Sequence, residues 1–164
     1  MQFYNASIDD LPLIVDIYNS TIAGRLVTAD TEAVTVEDKR SWFESHNSTT
    51  RPIWIVKESD RIIGWVSFKD FYGRPAYNTT AEISIYLETN TRGKGYGKKI
   101  LHYCIQQSPA LQIHTLLGFI FSHNEASKKL FTNAGFAEWG MLKDIAVMDN
   151  QYYSLSIFGI KINQ

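Results

Sequence analysis

The segment Arg92-Gly93-Lys94-Gly95-Tyr96-Gly97-Lys98 limits what this chain can fold into more than any other stretch. It follows Thr80–Leu87, TAEISIYL, whose alternating, β-branched residues predict a strand. It precedes a helical pattern from about Gly97 to Gln107, with Ile100, Leu101, Cys104 and Ile105 on one face. Three glycines at alternate positions let the backbone turn tightly with its N–H groups facing outward. Those amides and the positive end of the following helix dipole form an anion site. Arg92, Lys94, Lys98 and Lys99 add positive charge beside it. A phosphate or pyrophosphate is the natural ligand, and a ligand-free glycine turn is the plainer alternative for so short a motif.

Two common phosphate loops fail on residues. A Walker A loop needs Ser or Thr after Gly-Lys, and Gly97-Lys98 is followed by Lys99. A dinucleotide fingerprint needs GxGxxG and an acid at the end of the next strand; the spacing here is GxGxG, and Phe121-Ser122-His123 offers no acid.

Around the loop, the chain reads as one domain spanning 1–164. Phe3–Ser7 predicts a first strand, and Ser7 with Asp10 three residues later predicts a helix start ahead of Leu11, Ile14, Val15 and Tyr18. Ala23–Thr35 has no period and reads as a loop. Thr35-Val36-Glu37-Asp38 opens a second helix running to about His46, with Trp42 and Phe43 on its apolar face. Ile53–Glu58 and Ile62–Phe71, joined at Ser59-Asp60, predict a hairpin. Thr115–Phe121 reads as a strand, Asn124–Ala134 as a helix closed by Gly135, and Phe136–Leu142 and Tyr152–Ile162 as the last strands. This order predicts an α/β (α+β) fold with a mixed central sheet flanked by helices.

Composition narrows the function classes. Sixteen Lys and Arg against seventeen Asp and Glu leave a net charge of -1, which disfavours a nucleic-acid binder. Cys104 is the only cysteine, so no intramolecular disulfide or cysteine-built zinc site is expected; on the apolar side of its helix it reads as a core thiol. His46, His102, His114 and His123 lack metal-ligand spacing, and no metal is expected. No apolar run approaches the roughly 18–20 residues of a membrane span. The opening MQFYNASIDDLPLIVDIYN has no basic stretch followed by an apolar core, so a cytoplasmic protein is expected.

Arg-x-x-Gly-x-Gly after a strand, here Arg92 to Gly97, resembles the acetyl-CoA pyrophosphate loop of the GNAT N-acetyltransferases. Asn124-Glu125-Ala126-Ser127 through Leu130-Phe131 to Ala134-Gly135-Phe136 resembles a later segment of that superfamily. More narrowly, Gly73-Arg74-Pro75-Ala76-Tyr77, Thr80-Ala81-Glu82, Ile85-Tyr86-Leu87 and Gly135-Phe136-Ala137-Glu138-Trp139-Gly140 are similar to the phosphinothricin and methionine sulfoximine acetyltransferase group. The resemblance spans almost the whole chain.

It implies a GNAT fold in which two neighbouring strands splay into a V and receive acetyl-CoA. Backbone groups of Ile85, Tyr86 and Leu87 would bind the pantetheine arm, with an N–H near Leu87 facing the thioester oxygen. Amides of Arg92, Gly93, Lys94, Gly95, Tyr96, Gly97 and Lys98 would hold the pyrophosphate, and Asn124 and Ser127 the far end. Glu82 is the implied general base, its carboxyl expected to be desolvated by Ala81, Ile83 and Ile85 along the strand. Arg74 would pair with the acceptor's carboxylate, with Tyr77 and Phe71 as pocket walls and Arg25 to Thr28 facing the acceptor. Many superfamily members place a tyrosine in the last helix to protonate the leaving thiolate. Phe131 stands there in this sequence.

The resulting expectation is N-acetylation of the α-amine of a small amino-acid-like acceptor such as phosphinothricin or methionine sulfoximine, in a homodimer. The alternatives are a non-catalytic CoA-binding or sensory module, which Phe131 favours, and acetylation of a protein N-terminus or a polyamine.

Overall fold

Side chains alternate across a strand, so each strand of this chain chooses which residues meet which helix layer. The computed structural model describes residues 1–162. Seven strands, β1 (Gln2–Asn5), β2 (Ile53–Glu58), β3 (Arg61–Asp70), β4 (Thr80–Leu87), β5 (Thr115–Phe121), β6 (Ala137–Met148) and β7 (Gln151–Lys161), form one sheet in the order β1-β2-β3-β4-β5-β7-β6. The helices are α1 (Leu11–Ile22), α2 (Val36–Glu44), α3 (Tyr96–Gln107) and α4 (Glu125–Asn133). Ile83, Leu116, Ile120 and Phe158 pack with Ile100, Leu101 and Cys104 of α3 and Phe131 of α4 on one face. Ile53, Ile55 and Trp65 pack with Leu11, Ile14, Val15 and Tyr18 of α1 on the other.

All neighbouring strands run antiparallel except β4 and β5, and this one parallel pair is incomplete. Thr80, Ala81 and Glu82 pair with Thr115, Leu116 and Leu117, and there the pairing stops. β4 stays paired with β3 out to Leu87↔Gly64, and β5 with β7 out to Phe121↔Leu155. Ile83–Leu87 therefore keep one edge open toward β5. The expected V-shaped splay is present, beginning at Glu82.

Several element boundaries shift, most of them by one or two residues. Ser7 and Asp10 do pair, the Ser7 amide and hydroxyl both donating to Asp10 Oδ2, but the pair opens a short 3₁₀ turn, Ile8–Asp10, that leads into α1 at Leu11. α2, capped by Thr35 with Asp38, stops at Glu44 rather than near His46. β6 runs to Met148, well past Leu142, because Asp149 and Asn150 both take left-handed conformations (φ 51° and 61°) and close a tight hairpin with β7. A register shift between Leu142 and Ala146 breaks the alternation that would have revealed this strand in sequence. β6 ends the sheet and exposes Trp139, Met141, Ile145 and Val147.

Candidate active site

The splay makes a cleft of about 540 Å3. Its walls include Ile83, Ile85 and Leu87 of β4, Gly118 and Phe119 of β5, and Leu130 and Phe131 of α4. Because the gap passes through the sheet, residues from both faces of β4 line it, Ser84 and Tyr86 included. At its mouth lies the glycine loop. Gly93 and Gly95 have φ of 73° and 80°, a left-handed backbone that a side chain would oppose, and Gly95 is the N-cap of α3. The first-turn amides of α3 thus face a cavity rimmed by Arg92 and Lys98.

Not every expected contact of the loop lines the cleft. Lys94 points to solvent, and Tyr96 packs against the core beneath α3. Helical geometry turns the Tyr96 ring inward while its backbone stays at the helix start. Arg92 spans the opening: its Nε donates to the Leu87 carbonyl at 3.1 Å and its Nη2 to Ser20 Oγ at 2.8 Å. Asn124 and Ser127 both line the cleft. The Asn124 side chain is committed within the protein, its Oδ1 accepting from the Ser127 amide at 3.1 Å and its Nδ2 donating to the Leu26 carbonyl at 3.0 Å. Leu26 and Val27 line this cleft, whereas Arg25 is paired to Asp149 at 2.8 Å.

A second cavity of about 200 Å3 adjoins the first, and Ser84 and Tyr86 line both. Its walls are Ile14, Val15 and Tyr18 of α1, Lys39 and Trp42 of α2, Trp65, Ser67 and Lys69 of β3, and Glu82. Burial raises the Glu82 carboxyl above the usual carboxylate range, and the nearby Lys69 charge partly opposes this. The source of that desolvation differs from expectation. Ala81 and Ile83 are buried on the opposite face of the sheet, under α3. Glu82 is instead covered from the α1–α2 side, where Tyr86 stacks on Trp65 at 4.4 Å and Trp65 meets Trp42 at 5.6 Å. Parity along β4 sends the flanking apolar residues the other way.

A hydroxyl network closes one side of this cavity. The Tyr18 hydroxyl donates to the Asp30 carboxylate and contacts the Thr28 hydroxyl. Burial first, then the neighbouring acid, lifts the Tyr18 phenol above its ordinary range; burial does the same for Tyr86, so both stay protonated. Lys39 Nζ lies 3.4 Å from Asp30 Oδ2 and 4.4 Å from the Tyr18 ring centre.

Arg74, Tyr77 and Phe71 do not line either cavity. The connection from β3 to β4 carries them beyond the sheet end, where exposed Arg74 precedes a short 3₁₀ turn, Pro75–Tyr77. Phe71 packs edge-on to Tyr72 and Tyr77 and lies 6.5 Å from the Phe119 ring. Phe119 shares the Glu82 face of the sheet, by the Glu82↔Leu117 register, so the aromatic group stands on that face but outside the cavity walls. Buried Arg51 braces this connection, donating to Asp70 Oδ1 at 2.6 Å and to the Asn78 carbonyl at 2.5 Å.

Lys39, Lys69, Trp65 and Ser67 were not legible as site residues. Lys69 sits directly across from Glu82 in the β3–β4 register, a relation that depends on the turn and not on spacing in the chain. Among the described residues no cluster of His, Cys, Asp and Glu could hold a metal, and no helix is long and apolar enough to cross a membrane.

A sheet split beside a glycine loop, with a half-buried carboxylate at the foot of the split, can seat an anionic cofactor beside a proton acceptor. The acetyltransferase (GNAT) domain family matches residues 6–156, and the chain belongs to that family. It is 50% identical over 155 residues to YwnH of Bacillus subtilis (strain 168), provisionally named a phosphinothricin acetyltransferase, with 94% of each chain covered. A crystal structure provisionally described as a phosphinothricin N-acetyltransferase superposes with a TM-score of 0.95 at 47% identity, covering 99% of both chains. The fold is shared with a phosphinothricin acetyltransferase of Sinorhizobium meliloti in complex with acetyl-CoA, with a TM-score of 0.89, 23% identity and coverage of 99% and 88%.

Proposed function

We propose that this single domain transfers the acetyl group of acetyl-CoA to the α-amine of a small amino-acid-like acceptor such as phosphinothricin or methionine sulfoximine. The observation that carries the proposal is the half-buried Glu82 carboxylate in a cavity that shares Ser84 and Tyr86 with the cleft. The cleft fits the cofactor chemically: an open β4 edge, helix N-terminal amides and basic side chains face one cavity. Backbone groups of Ile85, Tyr86 and Leu87 would hold the pantetheine arm, and amides of Arg92 to Lys98 the pyrophosphate, with Asn124 and Ser127 at the far end. Acetyl-CoA supplies the thioester.

An amino-acid amine is mostly protonated at neutral pH, so it must lose a proton before it can attack. Glu82 takes that proton, directly or through a water. The amine nitrogen then bonds to the carbonyl carbon, the carbon–sulfur bond breaks to release the thiolate, and the nitrogen sheds its second proton to water or to that thiolate, leaving the neutral amide. Phe131 has no proton to give, but a thiol pKa of about 8.5 makes the thiolate a fair leaving group. Two lysines against one carboxylate in the cavity disfavour a polyamine acceptor. Arg74, Tyr77 and Phe71 would form the outer collar through which the acceptor arrives.

The exposed apolar edge of β6 supports a homodimer. The absence of a membrane-length apolar helix among the described residues accords with a cytoplasmic enzyme. Acetylation of such inhibitors would confer resistance to them. The direct test measures CoA release with a thiol reagent across a panel of amino acids and their analogues. Release with phosphinothricin or methionine sulfoximine is expected; no release with any amine in the panel would remove the proposal.

A further inference from the structure

The charges of the Glu82 cavity point to a feature of the acceptor. Its only charged lining side chains are Glu82, Lys39 and Lys69. Lys39 is already held by Asp30. Lys69 differs: it stands opposite Glu82 in register and on the same face, yet its ammonium forms no ion pair within 4.0 Å among the described residues. An exposed lysine on the cavity rim, beside a half-buried carboxylate it does not touch, leaves an anion position next to the base. The remaining walls are largely aromatic and aliphatic and offer no other cation.

We infer that Lys69 is a specificity-determining residue that binds the acceptor's α-carboxylate, while the α-amine faces Glu82. The assignment rests on the acetyl-transfer reading above and deepens it. It moves the carboxylate contact from Arg74, which lies in the exposed turn outside the cavity, to the strand that carries the cavity floor. The occupant is then an α-amino acid whose side chain lies against Trp42 and Trp65. A lysine ammonium on a carboxylate is a charge-assisted contact whose loss weakens binding about ten- to a hundredfold.

The test compares methionine sulfoximine with its decarboxylated amine, using wild type, Lys69→Met, Lys69→Arg and Arg74→Gln. Working near pH of about 9 keeps an ordinary carboxyl ionised and a lysine charged. Lys69→Met is expected to raise KM for the amino acid about ten- to a hundredfold, with kcat, KM for the amine and KM for acetyl-CoA within about twofold. Lys69→Arg should restore much of the loss, and Arg74→Gln should leave the discrimination in place. Equal effects on both acceptors, no effect on either, or collapse of discrimination in Arg74→Gln instead would overturn the assignment. A parallel titration of tryptophan fluorescence, to which Trp42 and Trp65 of the cavity wall contribute alongside Trp54 and Trp139, reads amino-acid binding without turnover. Wild-type binding that weakens in Lys69→Met would uphold the carboxylate site even if no acetyl transfer were found, and binding unchanged by Lys69→Met would sink it.

Discussion

The ring of Phe131 occupies the space a side chain on Gly118 would need: a β-carbon there would stand 2.4 Å from the ring's Cε1. Gly118 is the first β5 residue beyond the last pairing with β4, and Phe131 is buried in the same cleft wall. α4 thus presses an aromatic ring onto the strand where the sheet opens. Gly118→Ala should cost about 1–3 kcal/mol by overpacking and lower affinity for acetyl-CoA. Denaturant titration checks the first and ligand titration the second. Adding Phe131→Leu should recover part of the loss, giving a coupling of about 0.5–3 kcal/mol in a double-mutant cycle.

Glu82→Gln should lower kcat/KM by about a hundred- to ten-thousandfold while acetyl-CoA binding is retained. In the wild type the base must be ionised, and burial raises its pKa. Activity should therefore fall on the acid side at a higher pH than an exposed glutamate would dictate. The stability effect has the opposite sign to the catalytic one. A carboxyl whose folded pKa is raised contributes its stability below the unfolded pKa and loses it as pH rises through the folded value. Glu82→Gln should thus melt at or above the wild-type temperature near neutral pH, with the difference shrinking as pH falls. A lower melting temperature for the variant at neutral pH would contradict this.

Arg51 holds both ends of the β3–β4 connection through Asp70 and Asn78. Arg51→Met leaves the Asn78 carbonyl without its guanidinium partner and should cost about 1–3 kcal/mol. KM for the acceptor should rise more than KM for acetyl-CoA, because the freed segment carries the outer collar. Lysine, lacking the fork, should rescue little.

Gly95 caps α3 at φ 80°, and the space where a β-carbon would stand has no other atom within 4 Å. Gly95→Ala therefore meets no clash, and its cost of about 1–2 kcal/mol is that of the left-handed backbone alone. The amides at the helix start should be displaced, raising KM for acetyl-CoA several-fold with the acceptor's KM nearly unchanged. Steady-state kinetics with each substrate varied in turn checks the split.

The β6 edge makes the oligomeric state testable. Ile145 and Val147 are 60% and 57% exposed on the last strand of the sheet. Replacing both with lysine should leave the melting temperature nearly unchanged and, if the proposed homodimer forms through this edge, yield monomer in analytical ultracentrifugation. A wild-type monomer at all concentrations would remove the dimer proposal.

Local pattern alone determined the strand TAEISIYL, the glycine turn after it and the helix beyond, because alternation, positive-φ positions and helical spacing are properties of neighbouring residues. The capping pairs Ser7–Asp10 and Thr35–Asp38 were legible for the same reason. Glu82 could be picked out only through family likeness; its carboxyl is desolvated as expected, but from the α1–α2 side, since Ala81 and Ile83 belong to the far face. Only tertiary structure decided that β4 and β5 part after Glu82, that Phe131 meets Gly118, and that Lys69 lies across from the base. Those relations join residues that are far apart in the chain, and they follow from register and helix docking, which set distances that no periodicity in the sequence encodes.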